Sequence, residues 1–152
     1  MSFYELLVFI HIFSAILGMG PGLVMTVVVT RSNPVNMTEV RQAFKVRNVL
    51  HIFTMVGGLL LLLTGLGMGF LNTYLWSQGW YTISFILYLV ALAMGPFVLS
   101  PISKPIKRSF SEIEGEEIPL SYKIQSKKLF RYENMINVLF IIIISLMILK
   151  PF

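Results

Sequence analysis

Four uncharged apolar stretches decide what solvent this chain can fold in. Residues 6–30, 49–80, 81–100 and 134–149 contain no Asp, Glu, Lys or Arg. A bilayer core about 30 Å thick is crossed by roughly 20 apolar residues in helical form. The first three stretches reach that length, and the fourth does so once Tyr132 and its charged neighbours lie at the interface. With 56% of residues hydrophobic and only 12% charged, a water-soluble fold of this size could not hide so much continuous apolar surface. The expected fold is all-α, a single transmembrane domain over residues 1–152. Its four helices fall at about 3–30, 37–69, 81–100 and 121–149.

The charges are sorted rather than scattered. Every Lys and Arg except Lys150 lies between residues 31 and 47 or between 104 and 131. Cytoplasmic segments of membrane proteins are enriched in Lys and Arg, so this pattern predicts that both basic segments face the cytoplasm and both termini lie outside. Topology alone accounts for the net charge of +5, and no nucleic-acid partner is expected. Residues 1–10 hold Glu5 and no Lys or Arg, unlike the basic start of a cleavable signal, so the first helix is expected to remain. Cysteine is absent, which excludes disulfides, thiolate metal sites, iron–sulfur clusters and covalently attached c-type haem. Aspartate is also absent, and no His/Glu zinc spacing or phosphate-cradling glycine loop occurs, so hydrolytic chemistry has no support.

Local signals place the helix ends. Asn33-Pro34 should stop the first helix, because proline pushes the preceding residue out of helical geometry. Asn36 with Glu39 three residues on resembles a capping box for the second. Gly65, Gly67 and Gly69 weaken its far end. Tyr74, Trp76, Trp80 and Tyr81 suit an aromatic belt at one membrane face. Gly95-Pro96 should bend the third helix, and Pro101 and Pro105 should punctuate its exit. A short acidic loop with Glu112, Glu114, Glu116 and Glu117 is expected before the fourth.

Two features are candidates for function. Ser14, Gly18, Gly22 and Thr26 form a small-residue stripe that lets helix backbones approach closely in lipid. Pro21 within it frees the carbonyl of Leu17, and the bent, glycine-lined surface also suits a flat ligand. His11 and His51 are the intramembrane titratable side chains of consequence. Such residues are functional candidates by default, and imidazole is the usual proximal ligand of haem iron. The alternative for each is a hydrogen bond to a neighbouring carbonyl or hydroxyl. At 1.5 Å per residue the two histidines differ in height by on the order of 20 Å, too far to share one iron. Thr64, Met68, Tyr81, Thr82, Ser84 and Tyr88 fall near the level of His11, while Thr26, Asn134 and Asn137 fall near His51. Met19, Met25 and Met68 could bind copper(I), though methionine in apolar helices is more often filler.

Leu6-Leu7-Val8-Phe9 followed by His11-Ile12-Phe13, the stretch from Ala15 to Gly20-Pro21, Thr64-Gly65, Trp80 and the closing Leu149-Lys150-Pro151-Phe152 together resemble a known group. The chain looks like a member of the small four-helix bacterial integral membrane proteins of unknown function. That group is related to HemJ-type protoporphyrinogen oxidases and CopD-type copper-resistance proteins. The resemblance covers the whole chain and implies a multi-pass protein of the bacterial plasma membrane. It marks His11 as a haem ligand. Ser84 stands where HemJ-type proteins carry a lysine after the helix 3 tryptophan, and no Arg precedes Arg31, so a relative keeping the bundle and the porphyrin pocket fits better than the oxidase.

Two functions are therefore carried forward. One is a haem- or porphyrin-binding membrane protein with a redox role, with His11 as the metal ligand, Gly18 and Gly22 making room for the macrocycle, and His51 as a further candidate. The other is a non-enzymatic membrane protein, either a complex subunit or stabiliser or a small transport component. The expected partners are the lipid bilayer, a second copy of the chain, or a membrane protein of respiratory or porphyrin metabolism.

Overall fold

A computed structural model describes residues 2–112 and 115–152. The part of the acidic loop at Glu114 lies outside the described residues. All regular structure among them is helical, in the order α1 (Phe3–Arg31), α2 (Met37–Leu71), a 3-10 turn (Thr73–Ser77), α3 (Gly79–Met94), a π turn (Gly95–Leu99), α4 (Ser100–Glu112) and α5 (Leu120–Leu149). Four helical segments are long and apolar enough to cross a membrane: Phe3–Val28, Met37–Leu71, Gly79–Phe110 and Leu120–Leu149. Large apolar side chains such as Phe9, Ile16, Leu59 and Phe97 stand exposed on the outer surface. In water that would be a liability; against acyl chains it is the expected lining.

The helix boundaries follow from short-range chemistry. Ser2 caps α1: its hydroxyl accepts from the Glu5 amide, and the Glu5 carboxylate accepts from the Ser2 amide, a reciprocal box that satisfies two orphan donors. Asn33 adopts a left-handed conformation (φ 39°), which only Asn, Asp and Gly visit readily, and Pro34 then prevents the helix resuming. Asn36 restarts the chain by accepting the Glu39 amide at 2.9 Å, while the Glu39 carboxylate accepts from the Val35 amide.

One expected boundary moves. Helix 3 does not end at Ser100; helical geometry continues through Pro101 and Pro105 to Glu112. The π turn absorbs the first disruption. It shifts the hydrogen-bond register, so the Ser100 amide reaches the Gly95 carbonyl five residues back, as happens where a proline must be accommodated without ending a helix. Pro105 still removes a bond inside α4. That loss is offset by Ile106, fully buried in a cluster with Met37, Val40, Phe44, Tyr122 and Leu129. The cluster joins α2, α4 and α5 at the basic end, with Phe44 edge-on to both Phe110 and Tyr122.

Within the bundle α1 lies tightly on α2, and α3 lies on α5. A Cβ added to Gly18 would sit 2.8 Å from the Gly58 amide nitrogen and 2.9 Å from the Gly57 carbonyl carbon, so the two backbones touch at this crossing. The α2–α3 side is bridged differently. The Tyr88 hydroxyl donates to the Gly58 carbonyl at 2.6 Å, and the Tyr81 hydroxyl donates to the Gly65 carbonyl at 2.7 Å. Side chains of that length hold two helices apart while tying them together, and the interior is correspondingly open. At the end carrying both termini, Phe152 packs on Gly79, its carbonyl accepts from the Trp80 amide at 3.0 Å, and the Lys150 ammonium lies over the Trp80 ring.

Candidate functional site

Among the described residues, two cavities of note open in the bundle, one in each half. The first, of about 700 Å³, lies toward the termini and includes His11, Ala15, Trp80, Tyr81 and Ser84 in its lining. The second, of about 710 Å³, lies toward the basic end and includes Arg47, His51, Lys104, Lys107 and Glu133. Met19 and Tyr88 line both, so the two cavities back onto each other across one layer of side chains near the glycine crossing. Both fall within the size range of small-molecule and cofactor sites. Exposed Ile12 and Ile16 of α1 and Ile148 of α5 belong to the first, and exposed Met55 and Leu59 of α2 and Leu92 of α3 to the second. Each cavity thus reaches the lipid-facing surface, the terminal one between α1 and α5 and the basic one between α2 and α3.

The sequence candidates are divided between these spaces. His11 belongs to the terminal cavity, whereas Gly18, Gly22 and His51 belong to the basic one. Gly18 does not make room for a macrocycle, because the backbone of Gly57 and Gly58 fills the space its missing side chain leaves. Gly22 is looser: a Cβ there would meet Phe140 at 3.6 Å and Asn137 at 3.8 Å, ordinary contact distances. His51 forms a half-buried part of the wall. Among the described residues, the Asn137 amide group donates to the Thr26 hydroxyl at 3.0 Å, an interhelical bond between α5 and α1.

His11 is held by a chain of bonds that favours one tautomer. Its Nδ1 lies 2.8 Å from the Thr64 hydroxyl oxygen, and that hydroxyl lies 2.7 Å from the Leu60 carbonyl one turn back on α2. A hydroxyl has one proton to give. With that proton on the carbonyl, Thr64 accepts, and Nδ1 must be the protonated nitrogen. The lone pair then resides on Nε2. Gly65 faces the ring, and a Cβ there would lie 3.4 Å from the imidazole Cε1, in van der Waals contact. A partner that orients the ring and fixes the tautomer is the arrangement that metal-ligating histidines use. Ser84, fully buried in the same cavity, has a hydroxyl with no hydrogen-bond partner among the described residues. Lys150 supplies a cation to the lining.

At the basic end the structure joins two residues that sequence reasoning placed only as flanking charges. Arg47 of α2 and Glu133 of α5 are 2% and 3% exposed and form a buried ion pair. Both Nε and Nη2 of Arg47 donate to one carboxylate oxygen, Nε at 3.1 Å. Glu133 is the sole acid in the basic half of a long apolar helix, and a lone acid at such a depth is the signal that could have found it.

No group of three or more His, Cys, Asp or Glu side chains able to hold a metal ion occurs among the described residues. Iron in the terminal cavity would therefore depend on His11 and on the cofactor's own ligands. No curated protein and no solved structure matches the chain. Residues 5–151 match the model of a family described as predicted integral membrane protein (DUF2269), and the chain belongs to that family.

Proposed function

We propose that this integral membrane protein binds haem or a related porphyrin in its terminal cavity, with His11 Nε2 as the protein's axial ligand. The observation that carries the reading is the Leu60–Thr64–His11 chain, which leaves an oriented imidazole lone pair beside an apolar space of about 700 Å³. The remaining lining fits such a group. Apolar walls suit the macrocycle, Trp80 and Tyr81 offer aromatic faces, Ser84 has an unused hydroxyl, and Lys150 can pair with a carboxylate at the rim. A bound haem would supply a one-electron redox couple. The residues' own part is to orient the ring, exclude water and hold the carboxylate edge.

Absorption spectra of the full chain, purified after expression with added haem, test this. A Soret band is expected in the parent and in His51→Ala, and its loss in His11→Ala. Thr64→Val should keep the band but shift it, since Nδ1 loses its acceptor. A parent without haem, or a band that survives in His11→Ala and vanishes in His51→Ala, overturns the assignment. The non-enzymatic reading would then stand on the helix packing alone.

The orientation belongs to the same proposal, because it places the terminal cavity in the outer half of the membrane. Ser77→Cys and Lys127→Cys, both at exposed positions, are expected to react differently with an impermeant thiol reagent on intact cells. Ser77→Cys should label and Lys127→Cys should not. The reverse pattern would invert the bundle.

A further inference from the structure

We infer that the basic-end cavity is a site for an anionic phospholipid of the adjoining leaflet, with its headgroup at Lys104 and Lys107 and one acyl chain drawn in between α2 and α3. Three observations converge on this. The first is charge. The lining contains Arg47, Lys104, Lys107 and Glu133, three cations against one acid. Glu133 is already committed to Arg47, so the exposed ammonium groups of Lys104 and Lys107 form the surplus. His51, half-buried on α2, and the Tyr88 phenol of α3 are the remaining titratable side chains in the lining.

The second is shape. The lysines stand on α4 at one end of the cavity, and Tyr88 of α3 closes the other. Sixteen residues separate Tyr88 from Lys104, roughly 24 Å of helix at 1.5 Å per residue. That is close to half of a bilayer about 40–45 Å thick with its headgroups, so the space is about one leaflet deep. Below the lysines the walls turn apolar through Leu92, Ile136 and Phe140.

The third is the state of the polar wall. Arg47 Nη1 and Glu133 Oε2 are buried without hydrogen-bond partners among the described residues. Unsatisfied charged groups at this depth are costly, and a headgroup phosphate or glycerol hydroxyl in the neighbouring space is chemically suited to relieve them. Basic pockets between transmembrane helices are a recognised setting for anionic headgroups.

The probe is dioleoylphosphatidylglycerol added to the delipidated full chain in neutral detergent, read by native mass spectrometry and by thermal unfolding. One lipid should bind per chain and raise the Tm, whereas dioleoylphosphatidylcholine should bind much more weakly. The double variant Lys104→Gln/Lys107→Gln alters only exposed side chains and should unfold like the parent without lipid. Its affinity for the anionic lipid should fall by about thirtyfold. Equal binding of the two lipids would overturn the proposal, as would unchanged affinity in the variant. Inorganic phosphate that matches the lipid's effect would also overturn it, making the site one for a small anion.

Discussion

Glu133→Ala is expected to destabilise the folded chain by about 3–5 kcal/mol, the usual cost of stripping one partner from a buried ion pair. Arg47 would keep its charge with almost no access to solvent, since it is 2% exposed. Its Nη1 already lacks a hydrogen bond, so both of its present bonds would vanish with the same carboxylate. The double variant Arg47→Met/Glu133→Leu should recover most of the loss, because two apolar side chains of similar bulk need no desolvation. Unfolding of the detergent-solubilised protein measures both. Glu133→Ala unfolding like the parent would mean that the pair is hydrated and contributes little. A double variant as unstable as the single one would mean that the pair specifies the packing of α2 against α5.

How much of this was legible beforehand depends on whether a feature is local or lateral. The spans, the Asn33-Pro34 break and the Asn36 cap are decided by neighbouring residues, and they read directly. Height along a helix is also nearly one-dimensional. Counting turns placed Thr64 opposite His11, and the structure joins them at 2.8 Å. Helix neighbours around the bundle are another matter. Arg47 and Glu133 are 86 positions apart; Arg47 alone reads as an interfacial charge, and Glu133 alone stands out as a lone acid without naming a partner. Only the packing of α2 near α5 makes them partners. The separation of Gly18 and Gly22 from His11 has the same cause. All three lie on one side of α1, but the layer formed by Met19 and Tyr88 splits the space they face, and nothing in the spacing announces a side chain reaching in from α3. The prolines of α4 misled for a different reason. Each one locally opposes a helix, and the burial of Ile106 with a π turn outweighs them only in three dimensions.

Gly18→Leu and Gly57→Leu should each prevent the bundle from assembling, with losses at or beyond the upper end of the roughly 1–3 kcal/mol typical of overpacking. The reason is what surrounds them. A Cβ on Gly18 would meet backbone atoms of α2 at 2.8 and 2.9 Å, and one on Gly57 would meet the Leu17 carbonyl carbon of α1 at 2.6 Å. A flexible side chain can swing aside; two helix backbones can only separate. In lipid their association rests on such close packing, with no hydrophobic drive to replace it. Separation would also displace Met19, beside the crossing, and with it the layer that divides the two cavities. The haem and lipid binding proposed for the two halves should therefore fail along with assembly. Gly20→Ala provides the control on the same helix, since a Cβ there meets nothing within 4 Å. It should be neutral or stabilising by up to about 1 kcal/mol, from helix propensity alone. Size-exclusion profiles and protease resistance in detergent would separate the three variants. If Gly18→Leu behaves like Gly20→Ala, α1 and α2 do not meet through these glycines, and the division of the interior into two cavities loses its basis.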